Sequence, residues 1–417
     1  MQAGRFGRCL GWFAAASLLA AGPAAGAGDW PEFRGPSGQG HSTEQGLPLE
    51  WSESQNVLWK TAVPGRGWST PVVAGGRVWI TTATEAAGGS LRLLAFDAGS
   101  GEPALDVEVF RTEDIAAPNP KNSLASPSAI VDGDRVYAHF GTYGTAALTT
   151  AGELLWTARF TCVTQHGNGG SPIVHEDLLI LSCDGYDVAY TVALDTETGA
   201  VRWQVERDQP VSQAYSTPLA IRVGGQDQIV SVGAFRTSAY DPDTGDEIWR
   251  VRYGRGFSNV PRPVYGHGLV YIATGFQSPT MLAVRADGSG DVTATHVAWR
   301  HRRGAPHTSS PLLVGREFYM VSDLGVMTCL DAESGEVHWQ ERIRGNYSAS
   351  PVFADGRIYV QSEEGRTTVL APGTTYAELA TNELDGLTLA SMAVSDGSFF
   401  LRTATHLYRI GGAAGQP

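Results

Sequence analysis

The stretch Ala193-Leu-Asp195-Thr-Glu-Thr-Gly199-Ala-Val-Arg-Trp203 decides the fold. It joins an apolar strand end, a turn, and a strand that carries a tryptophan. Asp195 and Thr198 are the side chains that tie such a turn by local hydrogen bonds, and Gly199 supplies a positive φ. The same grammar, A-x-D-x-x-T-G-x-x-x-W, returns at Ala239-Tyr-Asp241-Pro-Asp-Thr-Gly245-Asp-Glu-Ile-Trp249. Cys329-Leu-Asp331-Ala-Glu-Ser-Gly335-Glu-Val-His-Trp339 is one conservative step away, and Ala95-Phe-Asp97-Ala-Gly-Ser-Gly101 keeps the turn without the Trp.

Outward from these turns, a second pattern repeats through the chain. A small or polar residue precedes Pro, an apolar run follows, then a Gly or Asp-Gly turn. The anchors read as Ser69-Thr70-Pro71, Ser126-Pro127, Ser171-Pro172, Ser216-Thr217-Pro218, Pro261-Arg262-Pro263, Ser310-Pro311, Ser350-Pro351 and, without the proline, Ser391-Met392. They fall 40 to 56 residues apart, the period of a four-stranded propeller blade. Gly75-Gly76, Asp132-Gly133, Gly224-Gly225, Asp355-Gly356 and Asp396-Gly397 mark tight hairpins just past the anchors. The last unit offers only three strands, while Asn56–Val63 precedes the first anchor and carries an orphan Trp59. That segment is expected to complete the last blade and so remove an exposed sheet edge.

The repeat resembles the tryptophan-docking motif of PQQ-like (quinoprotein-like) β-propellers, over roughly residues 55–410. It is similar to the propeller of the outer-membrane protein assembly factor family. The resemblance implies an all-β, eight-bladed propeller of four-stranded antiparallel blades, with each Trp wedged between neighbours as structure, not as ligand contact. Residues 28–54, rich in Pro and Gly, are expected to pack across one face, and residues 411–417 to form a tail.

Composition narrows the function. Net charge is −13 and Lys60 and Lys121 are the only lysines, so nucleic acid is a poor partner. Residues 1–27 read as a secretory signal peptide: Arg5 and Arg8, an apolar run Cys9–Ala21, and Ala25-Gly26-Ala27 before the cleavage point. Cys9 lies early in that run, so no lipid anchor is expected. The protein should be exported, periplasmic or extracellular, and monomeric. Cys162, Cys183 and Cys329 are an odd set in apolar runs, read as buried thiols. C-x-x-C, G-x-S-x-G, H-E-x-x-H, Walker A and EF-hand signatures are all absent. His175-Glu176 has no His following at zinc-motif spacing and is placed in a hairpin turn.

Strand alternation puts the tight turns on one face and the remaining loops on the other, where a funnel opens. Ligand candidates there are Trp68, Asn122, His166, Asn168, Asp184, Asp187, Arg236, Arg262, His307 and Asn346, with Tyr143, Tyr215, Glu85, Asn259, Gln277, Asp323, Tyr347, Glu363 and His406 nearby. The densest cluster is Gln165-His-Gly-Asn-Gly-Gly170 with Cys183-Asp184-Gly-Tyr-Asp187. The leading expectation is a non-enzymatic scaffold binding an exported protein or peptide at the funnel face or blade edges. The alternative is a PQQ- and Ca²⁺-dependent oxidoreductase, with Arg66, Arg236 and Arg262 as cations, Trp68 as platform, Asn168 as metal ligand and Asp184 as base. It requires those residues to converge. A third reading is a carbohydrate-active propeller stacking sugars on Trp68, Tyr143 and Phe276, which needs a carboxylate pair for cleavage. No resident metal is expected under the scaffold reading.

Overall fold

The computed structural model describes residues 1, 28–84, 89–113, 119–208, 210–277 and 279–412. Residues 2–27, expected to belong to a leader, Glu85 and residues 413–417 lie outside them. Eight antiparallel sheets form the ring. The first blade runs outward from the axis through Val72–Ala74, Arg77–Thr84, Gly89–Asp97 and Pro103–Thr112. The last is Ala393–Ser395, Ser398–Arg402 and His406–Gly411, completed by Val57–Ala62 pairing antiparallel with His406–Gly411. Among the described residues the single helical element is a short 3-10 turn, Gly141–Tyr143.

The decisive repeat works across blade boundaries. Asp195 Oδ1 accepts from the Thr198 backbone N–H at 2.9 Å and from its hydroxyl at 2.8 Å, closing the turn. The tryptophan of one blade then donates its indole N–H to the turn of the next. Trp156 reaches Thr196 O at 3.0 Å, Trp203 reaches Pro242 O at 2.6 Å, and Trp299 reaches Ala332 O at 2.9 Å. Trp59 closes the ring on Ala98 O at 3.0 Å. The turn glycine therefore answers two demands. Gly199 has φ +71°, and a Cβ there would lie 2.6 Å from the Trp156 ring.

Trp249 departs from this rule. The following blade has no Asp-x-x-Thr-Gly turn; a longer connection spans Arg285 to Val297 and contributes the strand Gly290–Asp291. That strand adds in parallel beside Glu247–Arg252, giving the fourth blade five strands. Trp249 turns inward and donates to Gln228 Oε1 at 2.9 Å.

The anchors form a hydroxyl ring around the axis. Thr70 N–H donates to Ser128 Oγ, Ser128 N–H to Ser171 Oγ, and Ser171 N–H to Thr217 Oγ1, each at 2.9 Å. Arg262 N–H donates to Ser310 Oγ at 3.0 Å, Ser310 to Ser350 Oγ at 3.0 Å, and Ser350 to Ser391 Oγ at 2.8 Å. The small anchors thus satisfy backbone donors that crowding at the axis would otherwise orphan. The second blade corrects the sequence reading. Its ring hydroxyl is Ser128, two residues beyond Ser126-Pro127, while Ser126 caps a local loop by bonding Asn122 Oδ1 at 2.5 Å.

Residues 28–54 cross the hairpin-turn face. Trp30 bridges to Val73, Pro31 O accepts from Val131 at 2.9 Å, and His41 bridges to Phe353. Leu47 N–H donates to Asp355 Oδ2 at 3.1 Å and Glu44 Oε2 accepts from Gly397 N–H at 2.7 Å. Between these contacts the segment passes over the axis, where Arg34 donates to Pro311 O at 2.7 Å.

Candidate functional site

On the opposite face the connections between blades surround a cavity of about 610 Å³. Asn122, His166, Tyr215, His307 and Asp323 line it, as expected from their positions before the anchors or in the funnel loops. Lys121, Gln213, Phe257, Ser258 and Thr308 line it as well and had not been singled out. The wall is laced by side chains. Asn122 donates to His166 O at 2.6 Å and Asn168 O at 3.0 Å, tying two successive connections together. Gln213 Oε1 accepts from the Tyr215 hydroxyl at 2.6 Å and from Gln165 N–H at 3.0 Å. Asp323 Oδ1 accepts from His307 N–H at 2.9 Å. Phe257 meets Phe276 edge to face at 5.6 Å, and Phe276 meets the His307 ring at 6.1 Å, making a continuous aromatic ridge.

A narrower cavity of about 150 Å³ continues along the axis. The ring hydroxyls of Thr70, Ser128, Ser171, Thr217, Ser310, Ser350 and Ser391 line it, with Trp68, Lys121 and, from the crossing segment, Phe33. Lys121 pairs with Glu363 at 2.8 Å, and the Ser348 hydroxyl donates to the same carboxylate at 2.6 Å.

The exposed large apolar side chains fall into two sets. Leu58, Leu154, Leu155, Val201, Val337 and Leu379 sit on outer strands. Val163, Tyr186, Val211, Phe276, Leu324 and Leu387, 43–63% exposed, all sit on loops of the funnel face. Of these, Tyr186 and Phe276 line the large cavity, and exposed apolar side chains on one face mark a candidate contact surface.

Several candidates leave the funnel. Arg262 is buried and turns toward the crossing segment, donating to Glu32 Oε1 at 3.0 Å and Phe33 O at 2.6 Å. Burial holds Glu32 above the ordinary carboxylate range against the pull of Arg262. Arg236 pairs with Glu247 and also donates to Asp208 O at 3.2 Å. Asp184 is buried in an ion pair with Arg207, where burial raises its carboxyl pKa against the Arg207 charge. Long cations find carboxylates before they find solvent, because an unpaired buried charge is costly. Asp187 accepts from Val163 N–H at 2.7 Å, and Asn168 donates to Phe140 O at 2.7 Å; both order loops. Asn346 donates to Glu364 at 2.8 Å beside a separate groove lined by Arg342, Arg344 and Arg366. Tyr143 packs against a blade core, and its carbonyl oxygen accepts from Arg159 Nε at 3.2 Å.

The model of one family, outer membrane protein assembly factor BamB, matches residues 41–168, 144–295 and 288–375. The chain belongs to this family. The BamB of Alkalilimnicola ehrlichii is 27% identical over 162 residues, which is 38% of this chain and 40% of that protein. The alignment therefore spans less than half the length of that relative. The crystal structure of BamB from Moraxella catarrhalis superposes with a TM-score of 0.61 at 14% identity, over 85% of this chain and 99% of that one. A quinohemoprotein alcohol dehydrogenase from Comamonas testosteroni gives 0.65 at 11%, over 93% and 81%. A europium-containing methanol dehydrogenase gives 0.68 at 11%, over 91% and 90%. Identities this low show the propeller fold alone.

The quinone reading fails on geometry. Arg66 donates to Pro120 O at 2.7 Å, Arg262 serves the opposite face, and Arg236 and Asp184 are each spent in separate ion pairs. These residues do not fit one PQQ site with its Ca²⁺. The carbohydrate-cleaving reading fares similarly, since Asp323 is the sole carboxylate among the described residues lining the large cavity.

Proposed function

We propose that this chain is an exported, non-enzymatic scaffold in outer-membrane protein assembly that holds a protein partner on its funnel face. Membership of the BamB family supports the role. The observation that carries the placement is that Tyr186 and Phe276 are exposed in the lining of the aromatic pocket, on the same loop face as exposed Val163, Val211, Leu324 and Leu387. Buried aromatic anchors ringed by polar groups dominate protein interfaces, and Phe276, Phe257 and Tyr215 are the anchors on offer here. The partner would be a component or client of the assembly process, bound as an exposed apolar segment.

Polar substitution of the exposed aromatics tests this. Phe276→Asp with Tyr186→Ser should abolish co-purification of the partner under conditions where Leu155→Asp, on an outer strand, leaves it intact. The converse pattern would move the interface to the blade edges. There the added strand Gly290–Asp291 shows one outer strand already accepting a neighbour.

A further inference from the structure

We propose that Cys162 and Cys183 close a disulfide that pins the funnel-rim segment 159–169 to the third blade. Cys162 lies in the connection after the outer strand Leu154–Ala158, and Cys183 lies in the strand Leu178–Asp184. Each thiol perturbs the other's proton affinity, Cys162 upward and Cys183 downward, as close neighbours do. The backbones around them are laced together: Tyr186 N–H donates to Val163 O at 2.9 Å, and Val163 N–H donates to Asp187 Oδ1 at 2.7 Å. The fit is tight enough that a Cβ on Gly185 would lie 2.7 Å from Val163 O. Both cysteines line one small cavity of about 30 Å³. Cys329 stands apart in the sixth blade, its thiol directed to Gly373 O at 3.7 Å. The odd set of three thus resolves into a pair and a single thiol.

A metal is the competing use of two such thiols. His139 and Asp184 line the same cavity. Each is already engaged, His139 by Thr145 Oγ1 at 2.8 Å and Asp184 by Arg207. Among the described residues, the one set of three or more ligand atoms close enough to share an ion is His175, Glu176 and Asp227, elsewhere in the fold. Geometry therefore favours the disulfide over a metal.

The chemistry needs an oxidant of the disulfide class, a protein disulfide or oxidised glutathione. Cys162 is half-buried and Cys183 buried, so the reagent meets Cys162 first. Cys162 loses its proton to water and attacks, forming a mixed disulfide and releasing one thiol. With Cys162 held in the mixed disulfide, Cys183 gives its proton to water. Its thiolate then attacks Cys162 Sγ and expels the second thiol. Two cysteines and one reagent disulfide become one cystine and two reagent thiols. The segment so pinned carries Gln165 and His166 into the funnel wall.

The full chain, equilibrated with oxidised glutathione, tests this. No Lys or Arg lies between residues 160 and 201, so trypsin leaves both cysteines in one peptide. A protease cutting after Glu176 separates them. The expected result is a linked pair of fragments, lighter by two hydrogen atoms than their sum and released by reductant, with Cys329 alkylated independently. Reduction should also speed cleavage of segment 159–169 by an added protease several-fold, and Cys162→Ser should show that fast cleavage with or without reductant. Independent alkylation of both fragments, a link from either to Cys329 or to a second chain, or zinc retained stoichiometrically by the pair would each overturn the proposal.

Discussion

Replacing Arg262 by Met probes the clasp that holds the crossing segment over the axis. Arg262→Met keeps the apolar stem and removes the guanidinium. Lost with it are the pair to Glu32, the bond to Phe33 O, and the Nε bond to Pro218 O at 2.9 Å. Breaking a buried pair by removing one partner costs about 3–5 kcal/mol, because the other charge is left buried. One effect opposes this. Burial, and next the charge of Arg262, hold Arg34 down to about 9, so removing Arg262 relieves a like-charge contact. The relief is the smaller effect, since Arg34 keeps carbonyl acceptors at Gln39 and Pro311, both at 2.7 Å. Glu32 instead loses its counter-charge and rises further above the ordinary carboxylate range. A raised folded-state pKa penalises the fold only where the unfolded carboxyl is ionised. The Glu32 part of the loss should therefore be largest at neutral pH, shrink as pH falls through the raised folded-state pKa, and be gone below the unfolded value of about 4.3. Urea unfolding followed by tryptophan fluorescence reads it, and Glu32→Gln in the Arg262→Met background should recover part of the loss. A loss under about 0.5 kcal/mol at neutral pH, within the range of an ordinary surface change, or an equal loss at acid pH, would refute the reasoning.

Further outcomes follow from the same structure. Trp203→Ala should cost about 3–5 kcal/mol in urea unfolding, and Gly245→Ala should destabilise too, since φ is +77° and the new Cβ would lie 2.8 Å from the Trp203 ring. Asp184→Asn should destabilise by leaving Arg207 buried without its carboxylate, yet leave partner binding intact because the pair lies off the funnel; a titration of the wild type with PQQ and Ca²⁺ should show no saturable binding for this change to abolish.

The fold was legible because its repeat encodes contacts between neighbours. Asp195, Thr198 and Gly199 specify a turn, and the same turn receives Trp156 of the preceding blade. The orphan Trp59 announced the closure for the same reason. The second anchor was misread because Ser126-Pro127 mimics the pattern two residues before the true ring hydroxyl, Ser128. The site was legible only in outline. Residues just before the anchors do line the funnel, as Asn122, His166 and His307 do. Phe257 and Ser258 lie in the same kind of connection and a wider window would have caught them. Long charged side chains were not placeable. Arg262 is committed to Glu32, 230 residues away in sequence, and no local spacing records such a partner.

The most direct test of the funnel-face claim is site-specific photocrosslinking in cells. A photoreactive residue would replace Phe276, Tyr186 or Leu324 on the funnel face, and Leu155 or Leu379 on outer strands. The account predicts that the three funnel positions trap one and the same component or client of outer-membrane protein assembly, while the outer positions trap none. The same adduct arising only from Leu155 or Leu379 would contradict it.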